Sequence, residues 1–164
     1  MSYGWRREDG IIAEVCDECG FDSRRVGDLA YALRSALTVI GVLLDDSEAG
    51  RKPAPGTWSA AEYAAHAVHV VAECVAEGRD AAGLEAVPDP ADVTGAIAAL
   101  DEIFDSPARL DLDGITVDAP FATLTVRGNL LHALHDVEHH ALDMRRGYAG
   151  FALARGDDLH TVQR

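Results

Sequence analysis

The chain has 164 residues, 48% of them hydrophobic, which predicts one domain with a real core. Its formal net charge of −14 makes the surface repel phosphate backbones, so nucleic-acid binding is not expected. The sequence has neither an apolar run of about eighteen residues nor an apolar N-terminal signal segment, so no membrane partner is expected and a cytoplasmic location is the default. One lysine against thirteen arginines is typical of a GC-rich bacterial genome.

Residues 1–25 are polar and are predicted as an N-terminal extension. Within them, CDECGFD contains a CxxC motif formed by Cys16 and Cys19. CxxC followed by glycine resembles half of a zinc knuckle, which Cys74, His69 or a distant histidine would have to complete. A redox pair is the second interpretation, although no strand is predicted before the motif as in a thioredoxin-like unit. Two free thiols are the third interpretation.

Apolar residues that recur at helical spacing predict four helices. Helix 1 is predicted over residues 26–44. Helix 2 covers 59–78 and begins with a Ser-x-x-Glu capping box. Helix 3 covers 92–104. Helix 4 covers 128–146 and is expected to end at Gly147.

Between helices 3 and 4, LDLDGITVDAPFATLTV alternates loosely between apolar and polar residues. This pattern leaves open a short strand or hairpin and a long extended loop. Four helices joined by connections of moderate length predict an all-α fold, namely an antiparallel four-helix bundle over residues 26–146. An irregular segment or a short β excursion is expected before the last helix. Residues 147–164 are predicted as a C-terminal tail.

Helix 4 contains a cluster of four histidines, His132, His135, His139 and His140. Because helical positions advance by about 100° each, His132, His135 and His139 share one face and His140 lies on another. His135 and His139 are one turn apart, a spacing that lets two imidazoles bind one metal ion. Two ligands are too few for tight binding, so a third has to come from elsewhere.

Helix 2 offers two more histidines. His66 borders the apolar side of this helix, whereas His69 points further out. His66 is therefore the better candidate to face the bundle core, where metal sites are common. HxxxH alone is a weak signal, and the alternative is a set of solvated histidines.

The stretch PAPGTWSAAEYAAHAVHV, followed later by HDVEHHALD, resembles the DinB-like superfamily, which includes relatives of the metal- and thiol-dependent maleylpyruvate isomerases. The shared pattern is a Pro/Gly turn, Trp-Ser at the helix start, Glu, His, and HxxxH on the last bundle helix. The matching residues are Pro55, Gly56, Trp58, Ser59, Glu62, His66, His135 and His139. His140 stands where many relatives have arginine, and CDECGFD lies outside the family core.

The resemblance implies a divalent metal bound by His66, His135 and His139. Imidazole ligands suit zinc, nickel, iron or copper, and zinc or nickel is expected. The resemblance also implies a metal-dependent transferase or isomerase that uses a low-molecular-weight thiol, such as mycothiol or bacillithiol, on a small electrophile. Three imidazoles leave open positions on the ion, as in catalytic sites, and a metal binds a thiol as thiolate. The alternatives are a non-catalytic metal- or ligand-binding bundle and a bundle without metal. The sequence leaves open whether the chain forms a homodimer.

Four carboxylates are candidates to orient the metal-binding imidazoles, namely Glu62, Asp136, Glu138 and Asp143. The alternative for each is an ordinary solvated carboxylate. Trp58 is interpreted as a packing anchor at the start of helix 2 rather than a residue that contacts a ligand.

Overall fold

The structure is a computed structural model that describes residues 3–8, 11–105, 110–119 and 122–156. Most of these residues are helical. The helices are α1 (Leu29–Leu44), α2 (Ala60–Ala81), α3 (Val93–Phe104) and α4 (Val126–Arg155). Two antiparallel hairpins accompany them, β1 (Tyr3–Glu8) with β2 (Ile11–Cys16), and β3 (Thr116–Ala119) with β4 (Ala122–Thr125).

Side-chain caps determine where the helices begin. Asp28, Ser59, Asp92 and Thr125 each accept a hydrogen bond from a backbone N–H in the first turn of the helix that follows. At α2 the capping box is complete, because Glu62 also accepts from the backbone of Ser59 at 2.8 Å. The predicted starts of the second and third helices are confirmed to within one residue.

The prediction that the last helix ends at Gly147 is wrong. Helix α4 continues through Gly150 and ends at Gly156, whose φ of +72° is the left-handed conformation of a C-terminal cap. Gly147 lies inside the helix, where Pro53 approaches so closely that a Cβ would be 3.4 Å from its Cγ. The helix therefore extends into the segment that is predicted as a tail, and residues 157–164 of that tail lie outside the described part.

The four helices pack around one core. Helix α4 packs against α1 and α2, and α3 packs against the same two helices. The largest side chains that solvent does not reach include Leu33, Leu37, Ile40, Val71, Leu100, Leu130 and Leu134. The predominantly helical fold is confirmed, and the β3–β4 hairpin is the excursion expected before the last helix. Within the described part of the chain, no helix combines the length and the apolar character that a membrane span needs.

The N-terminal segment packs against the bundle through the β1–β2 hairpin. Strand β2 ends at Cys16, so the expectation that no strand precedes the CxxC motif is wrong. The apolar run IIAEVC is short and does not alternate cleanly, so periodicity alone does not identify it as a strand. Cys16 and Phe21 belong to the hydrophobic core. The hairpin thereby brings the two cysteines to α4.

Candidate metal centres

The predicted metal ligands fall into two groups. His135 and His139 lie with Cys16 and Cys19, and the ligand atoms of these four residues are all within 4.8 Å of one another. We call this set the thiol–imidazole group. His66 instead lies with Asp136 and His140, again with ligand atoms within 4.8 Å; this set is the His66 group. Among the described residues, no such group joins His66 to the HxxxH pair.

Buried Glu14, on strand β2, is hydrogen-bonded to His135 of the thiol–imidazole group. Its carboxylate is fully buried and its Oε1 lies 2.7 Å from Nδ1 of His135 and 2.9 Å from Nδ1 of His132. Burial raises the pKa of Glu14, but the hydrogen bonds with His132 and His135 outweigh burial, so the net pKa is lowered. Glu14 is therefore ionised at neutral pH and accepts from both imidazole N–H groups.

The imidazole of His135 is fixed on several sides. Burial lowers its pKa, but the hydrogen bonds with Glu14 and Cys16 raise it more, so the net pKa lies above the ordinary value. The ring of Phe21 stacks on that of His135, with centroids 4.8 Å apart. Since Nδ1 donates to Glu14, Nε2 is the nitrogen of His135 that could bind a metal ion.

The two cysteines of the motif have different acidities. Burial raises the pKa of the Cys16 thiol, but hydrogen bonds from the backbone at Cys19 and Glu18 and from the His135 side chain lower it to about 6. Burial and the neighbouring Cys16 sulfur raise the pKa of Cys19 to about 11. The pair therefore carries one thiolate at neutral pH, and both residues are free cysteines.

The His66 group lies between α2 and α4. Asp136 contacts both imidazoles: one carboxylate oxygen is 3.7 Å from Nε2 of His66 and the other is 3.5 Å from Nε2 of His140. Asp143 holds the other ring nitrogen of His140 at 3.3 Å. The side chain of His66 is 35% exposed and that of His140 is 14% exposed, so solvent reaches the group from the His66 side.

Aromatic rings flank the His66 group. The ring centroid of Trp58 is 5.2 Å from that of His66, and the ring of Tyr63 is 4.9 Å from that of His140. Trp58 is 42% exposed and also packs on the rings of Tyr63 and His140, which agrees with its predicted role as a packing anchor. It forms part of an apolar surface beside the group.

The carboxylates considered as orienting residues have different roles. Glu62 pairs with Lys52 at 2.8 Å and completes the α2 capping box, which is a structural role. Asp143 lies 3.8 Å from Nε2 of His139 in addition to its contact with His140. Glu138 is exposed and belongs to neither group.

A sizeable cavity lies away from both groups. It has a volume of about 560 Å³ and lies between α2 and the segment before α3, where its polar residues include His69 and Glu73. None of the residues of the thiol–imidazole group or of the His66 group lines it. Donor chemistry rather than cavity size therefore identifies the candidate sites.

The angular prediction for α4 is confirmed. His132 and His135 bond the same carboxylate and His139 reaches Cys16, whereas His140 faces α2. Sequence reasoning missed Glu14, whose only signal is a charged residue within a short apolar run. Compared with known proteins, the chain matches no family model, and no curated protein or solved structure is significantly similar to it.

Proposed function

We propose that this chain is a metalloprotein whose His66 group binds a divalent ion with open coordination positions and uses it in chemistry on a small molecule. One observation carries the proposal. Oδ2 of Asp136 is buried, and none of the described residues donates a hydrogen bond to it. A buried carboxylate oxygen without a donor is costly, and a cation held with His66 and His140 offsets that cost.

The proposed ligand set differs from the one that the DinB-like resemblance implies. His66 keeps its role, while Asp136 and His140 take the places of His135 and His139. Asp136 and His140 are four residues apart on α4, as are His135 and His139, but they lie one position further along the helix. They therefore face α2 rather than the hairpin. Two imidazoles and one carboxylate suit zinc or nickel without selecting between them, and three protein ligands leave positions for water or substrate.

A small molecule would approach the ion from the partly exposed His66 side of the group, next to the rings of Trp58 and Tyr63. The DinB-like pattern, an antiparallel bundle with a metal between its helices, supports a low-molecular-weight thiol as the substrate. An ion held there would lower the pKa of a bound thiol, which would lose its proton to solvent and be present as a nucleophilic thiolate. Its sulfur would supply the electron pair for the new bond to the carbon of a small electrophile, while the bond from that carbon to its leaving group breaks and the leaving group departs with that bond's electron pair and takes up a proton from solvent.

A second candidate function is a metal- or ligand-binding module without catalysis. The His66 group does not line the cavity of about 560 Å³ beside α2, which favours it, since catalytic sites commonly lie in large, well-formed pockets. Both candidate functions require a bound metal ion, but only the first converts a substrate.

The experiment compares metal content and zinc or nickel titrations for wild type, His66→Ala and Asp136→Asn. The control is His69→Ala, because His69 lies on the same helix with a 65% exposed side chain and belongs to neither group. We expect each site variant to lose one ion per chain and the control to retain it. Retention of every ion by both site variants would disprove the ligand set.

Turnover is then assayed by thiol consumption with mycothiol or bacillithiol and a panel of small electrophiles. Thiol consumption that disappears in His66→Ala and persists in His69→Ala supports the transferase. Metal binding at the His66 group without turnover of any thiol assigns the second function.

A further inference from the structure

We infer that the thiol–imidazole group is a second, closed zinc site that fastens the N-terminal hairpin to α4. Its four ligands are Cys16 and Cys19 from the end of β2 and the turn that follows, and His135 and His139 from α4. Two thiolates and two imidazoles are a donor set of structural zinc sites, which use four protein ligands and leave none for substrate. The inference does not depend on the proposed function.

The distances fit one ion. Zinc bonds of about 2.3 Å to sulfur and about 2.1 Å to nitrogen, arranged tetrahedrally, place a sulfur and a nitrogen ligand about 3.6 Å apart. Sγ of Cys16 and Nδ1 of His139 are 3.7 Å apart. The rings of His135 and His139 are nearly perpendicular, at 87°, so their ligand nitrogens converge on the thiols without stacking of the rings.

The backbone around the cysteines has the form of a metal-binding knuckle. The chain turns tightly after Cys16, with the N–H of Gly20 donating to the carbonyl of Cys16 at 2.9 Å and the N–H of Cys16 donating to the carbonyl of Phe21 at 3.0 Å. Gly20 has a φ of +79°, a conformation that favours glycine.

Each histidine presents its other nitrogen to a carboxylate. Nδ1 of His135 donates to Glu14 at 2.7 Å, and Nε2 of His139 faces Glu18 at 3.9 Å. Histidines that bind metals through one nitrogen commonly direct the other to a carboxylate, which fixes the tautomer and the ring orientation. Both imidazoles are thereby prepared to bind through the nitrogens that face Cys16 and Cys19.

A competing ion position on the outer side of His139 is already neutralised. Glu18, His139 and Asp143 could also surround a cation. Arg146, however, hydrogen-bonds Glu18 and lies 3.6 Å from Asp143. Its guanidinium supplies the positive charge there, which leaves the thiol side of His139 for zinc.

The test uses the full chain loaded with zinc or with cobalt. X-ray absorption of the zinc form is expected to show two sulfur scatterers at about 2.3 Å and nitrogen scatterers at about 2.0 Å. The cobalt form is expected to show sulfur-to-metal charge-transfer absorption that disappears in Cys16→Ser/Cys19→Ser. His66→Ala, which removes the other site, and Cys74→Ala, which removes the cysteine outside the group, are expected to retain that absorption.

A measurement on the wild-type chain tests the inference even if the cysteine variants do not fold. Cys16 and Cys19 of wild type are expected to resist alkylation when zinc is bound and to react after a chelator is added, as peptide mass spectrometry would show. Zinc coordinated without sulfur, or alkylation that zinc does not slow, would overturn the inference. A Cys16–Cys19 disulfide whose reduced form binds no zinc would also overturn it and would assign the motif to redox chemistry.

Discussion

Replacement of Glu14 by glutamine keeps the shape of the side chain and removes its charge. Oε1 of Glu14 accepts from His135 at 2.7 Å and from His132 at 2.9 Å, and the carboxylate is fully buried. A hydrogen bond to a charged group contributes about 1.5–3 kcal/mol and a neutral one about 0.5–1.5 kcal/mol, so two bonds lose roughly 2 kcal/mol. Glu14→Ala removes the acceptor altogether, and the loss of two hydrogen bonds to a charged group costs about 3–6 kcal/mol.

The assay is urea unfolding at neutral pH in the presence of a chelator, which isolates the hydrogen bonds from any metal. We expect the free energy of unfolding to fall in the order wild type, Glu14→Gln, Glu14→Ala. The matched control is Asp17→Asn, next to the same strand with a 61% exposed side chain, where a change within about 0.5 kcal/mol is expected. In zinc titrations, Glu14→Gln is expected to weaken binding at the thiol–imidazole group by about 10–100-fold.

A Glu14→Gln variant as stable as wild type, with unchanged zinc affinity, would refute this reasoning. It would show that the charge of Glu14 contributes nothing to holding the hairpin on α4. A loss of stability without a change in zinc affinity would mean that Glu14 stabilises the fold but does not orient His135 for zinc binding.

Two further predictions concern stability. The hydrogen bond from Lys52 lowers the pKa of Glu62 from 4.5 to about 2, so the stability contributed by this carboxylate is present above pH 4.5 and is lost as the pH falls towards 2. Glu62→Gln is therefore expected to lose less stability than wild type in acid unfolding over that range. Gly78→Ala places a Cβ 2.9 Å from the buried Val126 and is expected to destabilise by about 1–3 kcal/mol in urea unfolding. Gly150→Ala, a helical position with open space, is expected to stabilise by about 0.5–1 kcal/mol, and equal effects of the two alanines would contradict the packing argument.

Local signals in the sequence predicted three helices closely because their boundaries depend on nearby residues. Ser59 and Glu62 form a capping box whose partners are three residues apart, and Asp92 caps α3 in the same local way. The end of α4 was missed because Gly147 has the composition of a helix stop. In the structure Gly147 lies inside α4 and packs against Pro53, which is far away in the sequence, and the helix continues to its left-handed cap at Gly156.

The candidate sites required information that periodicity does not contain. The angular count for α4 separated His140 from the other three histidines, but it could not show that His140 faces α2 and that the HxxxH pair faces the hairpin. The choice of partner for each face depends on where the first strands pack. Cys16 lies on one of those strands, and the pairing that brings it to His139 spans most of the chain.

Three of the four clustered histidines on α4 belong to two proposed ligand pairs that overlap along the helix, and the fourth, His132, bonds Glu14. His135 with His139, and Asp136 with His140, are each separated by four residues, and the second pair is displaced from the first by one position. One position is about 100° of rotation, so one pair faces the hairpin and the other faces α2. A closed zinc site on the first face would fix the rotation of α4 about its axis. That rotation determines where Asp136 and His140 meet His66, so the structural site positions the ligands of the open one.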